Sequence, residues 1–370
     1  MPWPVESVMD QRLCFIAASL LGGEPMVALC ARFGISRKTG YKWLGRDDLE
    51  DRSRRPRESP TRTPESLEAQ VLAVRAKCSA WGGRKIAHVL ARDHGVQIAP
   101  STANWVLHRH GLISPQASQR ATAWQRFEHE TPNALWQMDF KGHFATGTQR
   151  CHPLTVLDDH SRFNVVLHAL GNERLESVQP VLQRAFERYG LPERINADNG
   201  PPWGSPTLGA LTELEVWLIR LGVRLSHSRP MHPQTNGKDE RFHRTLKAEL
   251  LATRQFKDLD DAQRHFIRWR HQYNAKRPHQ ALGMDTPASR YAASPRPMPS
   301  SLAPIEYGDA DIVRRVGYGG RIQFKGNTYR VGRGLIGQPV ALRPNLDLDG
   351  SFDVFFCHQK VRMIELLQAD

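Results

Sequence analysis

Apolar positions recur at helical spacing through residues 7–46 and again through 66–113. Val8, Leu13, Ile16, Ala17 and Leu20 form one stripe and predict a first helix. Pro25 opens a second, "PMVALCARF"; Gly34 turns the chain, and Ser36 is placed to cap a third, "SRKTGYKWL". Helix, turn, cationic helix is the helix-turn-helix plan. It offers Arg37, Lys38, Thr39 and Lys42 to a DNA groove and turns Tyr41 and Leu44 inward. The plainer reading is a three-helix bundle with a solvated charged face. Residues 66–113 repeat the theme in "SLEAQVLAVRAKC", "GGRKIAHVLARDHG" and "APSTANWVLHRHG". In that second helix-turn-helix Ser101, Thr102, Asn104 and Arg109 are the candidate DNA contacts. The stretch between, residues 47–65, has no apolar period. It reads as a basic linker whose Arg52, Arg54, Arg55 and Arg57 either track phosphates or only keep a tether soluble.

From residue 128 the period changes. "LWQMDFKG" alternates, and "HPLTVLDD" and "RFNVVLHAL" flank a turn at Asp158–Ser161, which predicts three antiparallel strands. A helix closed by Gly190, a short strand "RINADNG", a helix "GALTELEVWLIRLG", a strand and further helices follow, an α/β order through residue 290. Residues 291–304 are a Pro-rich linker. Residues 305–370 hold short strands between fast turns, "GYGG", "KGN", "GRG" and "DLDG", and predict a small all-β barrel, with a sandwich as the other option. The expectation is therefore a multidomain chain: helix-turn-helix modules at 1–46 and 66–113, an α/β core at 128–290, and a β domain at 305–370.

Charge narrows the partner. With 51 Lys and Arg against 38 Asp and Glu, the net charge is +13 and the pI about 9.8. A polyanion is the expected partner, nucleic acid before a membrane surface. No apolar run is long enough to span a bilayer, and the start of the chain has no secretory pattern. The five cysteines never stand at C-x-x-C spacing, which argues against a zinc finger and against a disulfide framework. Ordinary buried thiols in a reducing cytosol are expected.

Three carboxylates stand where folding alone would not put them. Asp139 interrupts the apolar strand "LWQMDFKG", a costly position unless the acid is paired or binds a cation. Asp198 ends "RINADNG", a common place for a ligand group, although taken alone the better reading is an Asp-Asn-Gly turn residue. In "HPQTNGKDERFHRTLK", Glu240, Arg244 and Lys247 share one helix face, while Phe242, Leu246 and Leu250 share another, with Asp239 and His243 nearer to it. Glu240 is thus the expected third acid and Asp239 the bystander. Asp158 and Asp159 read as structural turn residues.

"WQMDFKG", "INADNG" and "HPQTNGKDERFHRTLK" together resemble the three blocks of the bacterial insertion-sequence DDE transposases of the IS481 and IS3 groups, with their retroviral integrase-like core. The resemblance is strong over residues 128–290 and looser outside. It implies an RNase H-like core and catalytic, metal-binding roles for Asp139, Asp198 and Glu240. It also implies two Mg²⁺ or Mn²⁺ ions per site and a dimer or tetramer acting on terminal inverted repeats and target DNA. The function implied is metal-dependent cleavage and strand transfer. The alternative is a transposase-derived DNA-binding regulator without catalysis. Lys238, Arg244 and Lys247 become candidate DNA contacts. One departure is the 41 residues between Asp198 and Glu240, more than is usual in the family. Another is the lack of a His/Cys zinc module.

Overall fold

A computed structural model describes residues 7–51, 62–113, 128–198, 200, 202–204, 211–227 and 237–366. Residues Met1–Arg62 and Thr63–Asp370 form two compact units.

In the first unit, Ser7 and Asp10 close a capping box on α1 (Val8–Leu21). Helices α2 (Met26–Arg32) and α3 (Arg37–Leu44) follow, and the Ser36 hydroxyl caps α3 by accepting from the Thr39 N–H at 3.2 Å. The core is Phe15, Leu29, Cys30 and Trp43. Tyr41, expected to face inward, is 61% exposed. The residue that packs in its place is Gly40: a Cβ there would lie 2.7 Å from Cys30 Sγ and 2.9 Å from Phe15. With Gly40 against the core, Trp43 and Leu44 complete the inward face at i+3 and i+4, and Tyr41 turns outward.

The second unit starts with α4 (Glu65–Lys77), α5 (Gly83–His94) and α6 (Pro100–Arg109), closed around Val71, Trp81, Ile86, Leu90, Val106 and Leu107. This module is fastened to the α/β core by a buried polar cluster. Glu249 Oε1 accepts from Arg277 Nε at 2.9 Å and from Trp81 Nε1 at 3.2 Å, and Oε2 accepts from Trp269 Nε1 at 3.2 Å. Lys85 stands beside it with its pKa pushed down to about 7, first by burial and then by Arg277; Arg241 adds to the fall, and Glu249 and Cys78 oppose it. Between that value and the usual lysine value the unfolded chain holds a proton that the folded chain has shed. The contribution of Lys85 to stability therefore rises from about pH 7 to 10.5, and below 7 the cost of the buried ammonium is present in full. Lys85→Met is expected to raise the thermal midpoint at pH 6 and to lose most of that advantage at pH 9.5. Equal gains at both pH values would show that burial does not discharge this lysine.

The core is one mixed sheet. Strands β1 (Trp136–Phe140), β2 (Phe144–Ala145), β3 (Arg150–Asp158) and β4 (Asn164–Leu170) are joined by β5 (Arg194–Ala197) and β6 (Arg224–His227). β3 pairs antiparallel with β1 on one side and β4 on the other; β1, β5 and β6 run parallel. Helices α7 (Leu175–Tyr189) and α8 (Glu213–Arg220) cover one face over Trp136, Met138, Leu154 and Val156. Helices α9 (Gly237–Leu246) and α10 (Leu259–Ala275) cover the other over Cys151, Leu157 and Leu167. β3 is therefore buried on both faces from Pro153 to Asp158, and each buried Leu, Val or Met contributes about 1.5–3 kcal/mol. The open edge of β4 is satisfied by side chains of α10: Gln263 Oε1 accepts from Ala169 N, Arg270 Nη1 donates to Val165 O, and Asn274 exchanges two bonds with Asn164. The four-residue helix α11 (Pro287–Arg290) follows. The Pro-rich stretch beyond it, expected as a linker, lies on the core: Tyr291 stacks on Phe163 at 4.1 Å, and the Arg296 guanidinium donates to Pro192, Leu221 and Gly222 carbonyls.

The C-terminal β domain corrects an expectation. Strands β7 (Ile312–Arg315), β10 (Pro339–Pro344), β11 (Ser351–Phe356) and β12 (Gln359–Glu365) form an open antiparallel sheet in the order β12-β11-β10-β7. β8 (Arg321–Phe324) and β9 (Asn327–Arg330) pair separately as a hairpin. Among the described residues the strands do not close a barrel. The hairpin instead lays Ile322, Phe324 and Tyr329 over Val340, Leu342 and Val354, and α8 adds Val216 and Ile219 to that core. Strands of four to seven residues bury enough by stacking this way without closure.

Candidate active site

β1 and β5 are parallel, with Trp136 beside Ile195 and Gln137 beside Asn196. Continuing that register past the end of β5 brings Asp139 alongside Asp198. The electrostatics agree: the Asp139 carboxyl is pushed up to about 6, first by burial and next by the Asp198 charge. Two carboxylates that disfavour each other's charge are a fitting donor pair for a hard divalent cation. Asp198 is exposed, and its Oδ1 accepts from Gly200 N at 3.0 Å. Its carbonyl is held by His227 Nδ1 at 2.8 Å, while His227 Nε2 donates to Glu215 Oε1 at 3.0 Å. Both ring nitrogens thus face acceptors, and Glu215 raises the His227 pKa. This brace came without a sequence signal, because its members lie on β6, α8 and the end of β5.

α9 seats on the sheet beside Asp139. The Thr155 hydroxyl, opposite Asp139 in the β1–β3 register, donates to the Asp139 carbonyl at 2.8 Å. Its only proton is so engaged, so His243 Nε2 donates to Thr155 Oγ1, also at 2.8 Å. Nδ1 is left facing Asp139 Oδ2 at 3.7 Å. Burial pushes the His243 pKa down to about 3, so the ring is neutral. His243 was noted in the sequence only as sharing a side with Asp239; its role as the tie between α9 and β1 needed the fold.

The two acids at the start of α9 point different ways. Glu240, with Arg244 and Lys247, is exposed. Asp239 is 2% exposed and is the one turned toward Asp139 and Asp159. Burial first, then those two carboxylates, push its pKa well up, and its buried Oδ1 has no hydrogen-bond partner. Asp139 is therefore neighboured by Asp198 from the end of β5 and by Asp239 from α9, and Glu240 lies one turn before His243 on the outer flank. Among the described residues no group of three or more His, Cys, Asp or Glu side chains is arranged to hold a metal ion. The stretch 228–236 leading into α9 lies outside the described residues.

Asp158 and Asp159 are structural: Asp158 accepts from Asn133 N, Ser161 N and Ser161 Oγ, and Asp159 accepts from His129 N and Gln137 Nε2. Asp159 also pairs with Lys238. Lys238, expected to meet DNA, is thus engaged inside the protein. Arg109 is paired with Glu68 at 3.2 Å, and Asn104 Oδ1 accepts from Gly83 N at 2.8 Å, so these two expected contacts also serve the fold. Thr39 shares its hydroxyl with Ser36 at the α3 cap. Arg37, Lys38, Lys42, Ser101, Arg244 and Lys247 are exposed, and Thr102 is half-buried. Arg52, Arg54, Arg55 and Arg57 lie outside the described residues. What α6 does present, and the sequence reading passed over, is Trp105, 69% exposed beside His108.

Comparison with known proteins points one way. Residues 129–233 and 221–287 match integrase core domain models, 311–369 match the C-terminal domain of IS481 family transposases, and 39–107 match a homeodomain-like domain. A 31.7 kDa protein of insertion element IS407 from Burkholderia multivorans is 31% identical over 45% of this chain and 57% of its own length. A 39.2 kDa protein of insertion element IS476 from Xanthomonas euvesicatoria is 30% identical over 45% of this chain and 46% of its own. The chain thus spans about half the length of the curated relatives it matches. Among solved structures, the HTLV-2 integrase catalytic core domain in complex with magnesium aligns with 44% of this chain and 97% of its own, at 19% identity and TM-score 0.34, too loose a likeness to place residues.

Proposed function

We propose that this chain, which belongs to the IS481-type insertion-sequence transposases and carries their integrase core, cleaves DNA at the ends of an element and transfers the freed strand into target DNA. The observation that carries the reading is the pair Asp139 and Asp198, set side by side at the ends of parallel strands, with the Asp198 charge raising the proton affinity of Asp139. Asp139, Asp198 and Glu240 would hold Mg²⁺ or Mn²⁺, two ions per site. Bound there, such ions supply an activated oxygen nucleophile and charge stabilisation at the phosphorus.

The protein's own side chains do the positioning. His243 and Thr155 tie α9 to the Asp139 backbone, and His227 fixes the Asp198 carbonyl. Arg244 and Lys247, on the outer flank with Glu240, meet the DNA backbone, and α3 and α6 read terminal repeats. A dimer or tetramer would pair two element ends. The setting is the bacterial cytoplasm; no helix of the described residues is long and apolar enough to cross a membrane.

The test is incubation of the full chain with duplexes carrying the ends of its element and Mg²⁺, Mn²⁺ or EDTA. Nicked and strand-transfer products with either metal and none with EDTA are expected. Products that persist in EDTA would overturn the metal assignment. Sequence-specific binding with no cleavage under any metal would make the chain a DNA-binding regulator.

A further inference from the structure

The C-terminal β domain carries a cluster that the catalytic reading leaves unused. Arg321 and Arg330 stand directly opposite each other in the β8–β9 hairpin, both on its outer face. Like charges in that register destabilise a hairpin. Arg333, just past β9, joins them, and among the described residues none of the three guanidiniums has an acidic or hydrogen-bonding partner. Together with Tyr318 and Gly319 they line a cavity of about 330 Å³. Tyr318 is 98% exposed, an aromatic face that nothing covers.

The cavity is preformed. The Gly320 carbonyl accepts from Val331 N at 2.8 Å and Gly332 N at 3.1 Å, which staples the Tyr318 turn to the segment bearing Arg330 and Arg333. Gly320 sits at φ +74°, and a Cβ there would lie 2.5 Å from the Gly332 carbonyl, so the approach requires glycine.

We propose that Tyr318, Arg321, Arg330 and Arg333 form a binding site for the sugar-phosphate backbone of nucleic acid. This rests on the reading that the chain acts on DNA and adds a contact outside the catalytic core. An anion removes the repulsion between the paired arginines. Guanidinium forks match phosphate oxygens two at a time. The bare tyrosine supplies a stacking face for a sugar or base, which a simple anion would not use.

The experiment is fluorescence anisotropy of the full chain on a duplex, repeated across potassium chloride concentrations. Arg321→Gln/Arg330→Gln is expected to bind at least about tenfold more weakly, with a salt dependence flatter by about 2 in the log–log slope, near 0.9 per lost phosphate contact. Its thermal midpoint should hold or rise, because the repulsion is gone. Arg330→Lys should keep the wild-type slope, and Tyr318→Leu should weaken binding without changing it. Unchanged affinity and slope in the double variant would overturn the proposal and assign the arginines to another partner, such as an acidic protein segment. If that variant still binds and cuts DNA like wild type, this site falls and the transposase reading stands. If wild type binds no DNA, both fall.

Discussion

Asp139→Asn is expected to abolish both cleavage and strand transfer, by about a thousandfold or more, while binding to element ends stays at the wild-type level. The size follows from the position. Asp198, across the strand pair, raises the proton affinity of Asp139, and Asp139 in turn raises that of Asp239 from α9. Loss of a metal ligand removes several kcal/mol of charge stabilisation, and each 1.4 kcal/mol is about tenfold in rate. The fold should not suffer. Asn has the same shape, and a neutral amide no longer repels Asp198. The metal-free variant should therefore melt at or slightly above the wild-type temperature. The thermal shift that Mg²⁺ or Mn²⁺ gives the wild type should be gone. Transfer that survives, or a metal-induced shift that persists, would show that Asp139 holds no cation.

The second large effect is an asymmetry between neighbours. Glu240→Gln should lose catalysis about as completely as Asp139→Asn, whereas Asp239→Asn should change the rate by less than roughly threefold, within about 0.7 kcal/mol. Asp239 is buried, and burial first, then Asp139 and Asp159, raise its proton affinity and favour the uncharged form, whose shape and polarity an amide keeps. Glu240 is exposed beside Arg244 and Lys247, one turn from the His243 that touches Asp139. Single-turnover rates on a pre-nicked end would separate the two. The reverse ranking would make Asp239 the ligand, in the orientation that the structure gives it. Equal losses would mean that α9 enters the site in a different phase.

Asp139 stood out in the sequence because it breaks a local rule, an acid inside an apolar strand, whereas Asp198 at a strand end and Glu240 on the wet side of a helix sit where acids ordinarily do and were named through the resemblance of the three blocks. Helix caps such as Ser36, and the buried faces of α9 and α10, were legible because both depend on neighbours within a turn or two. Tyr41 was misplaced because a glycine carries no hydrophobic signal, yet Gly40 was the residue the core required. The barrel was misread because turn spacing reports strand lengths and not whether a sheet closes on itself.

Charge shows the division most clearly. A run of letters tells that Asn104, Arg109 and Lys238 are polar and helical. It does not tell that Gly83, Glu68 and Asp159 will arrive to engage them. Nor does it tell that Arg321, Arg330 and Arg333 will be left with no such partner. Period and capping act over a few residues, so the chain order carried them: the helical modules and the mixed core. Which cations stay free for DNA, and which α9 acid faces Asp139, depend on groups brought together from distant segments. Those were settled only when burial made an unpaired charge costly and pairing relieved it.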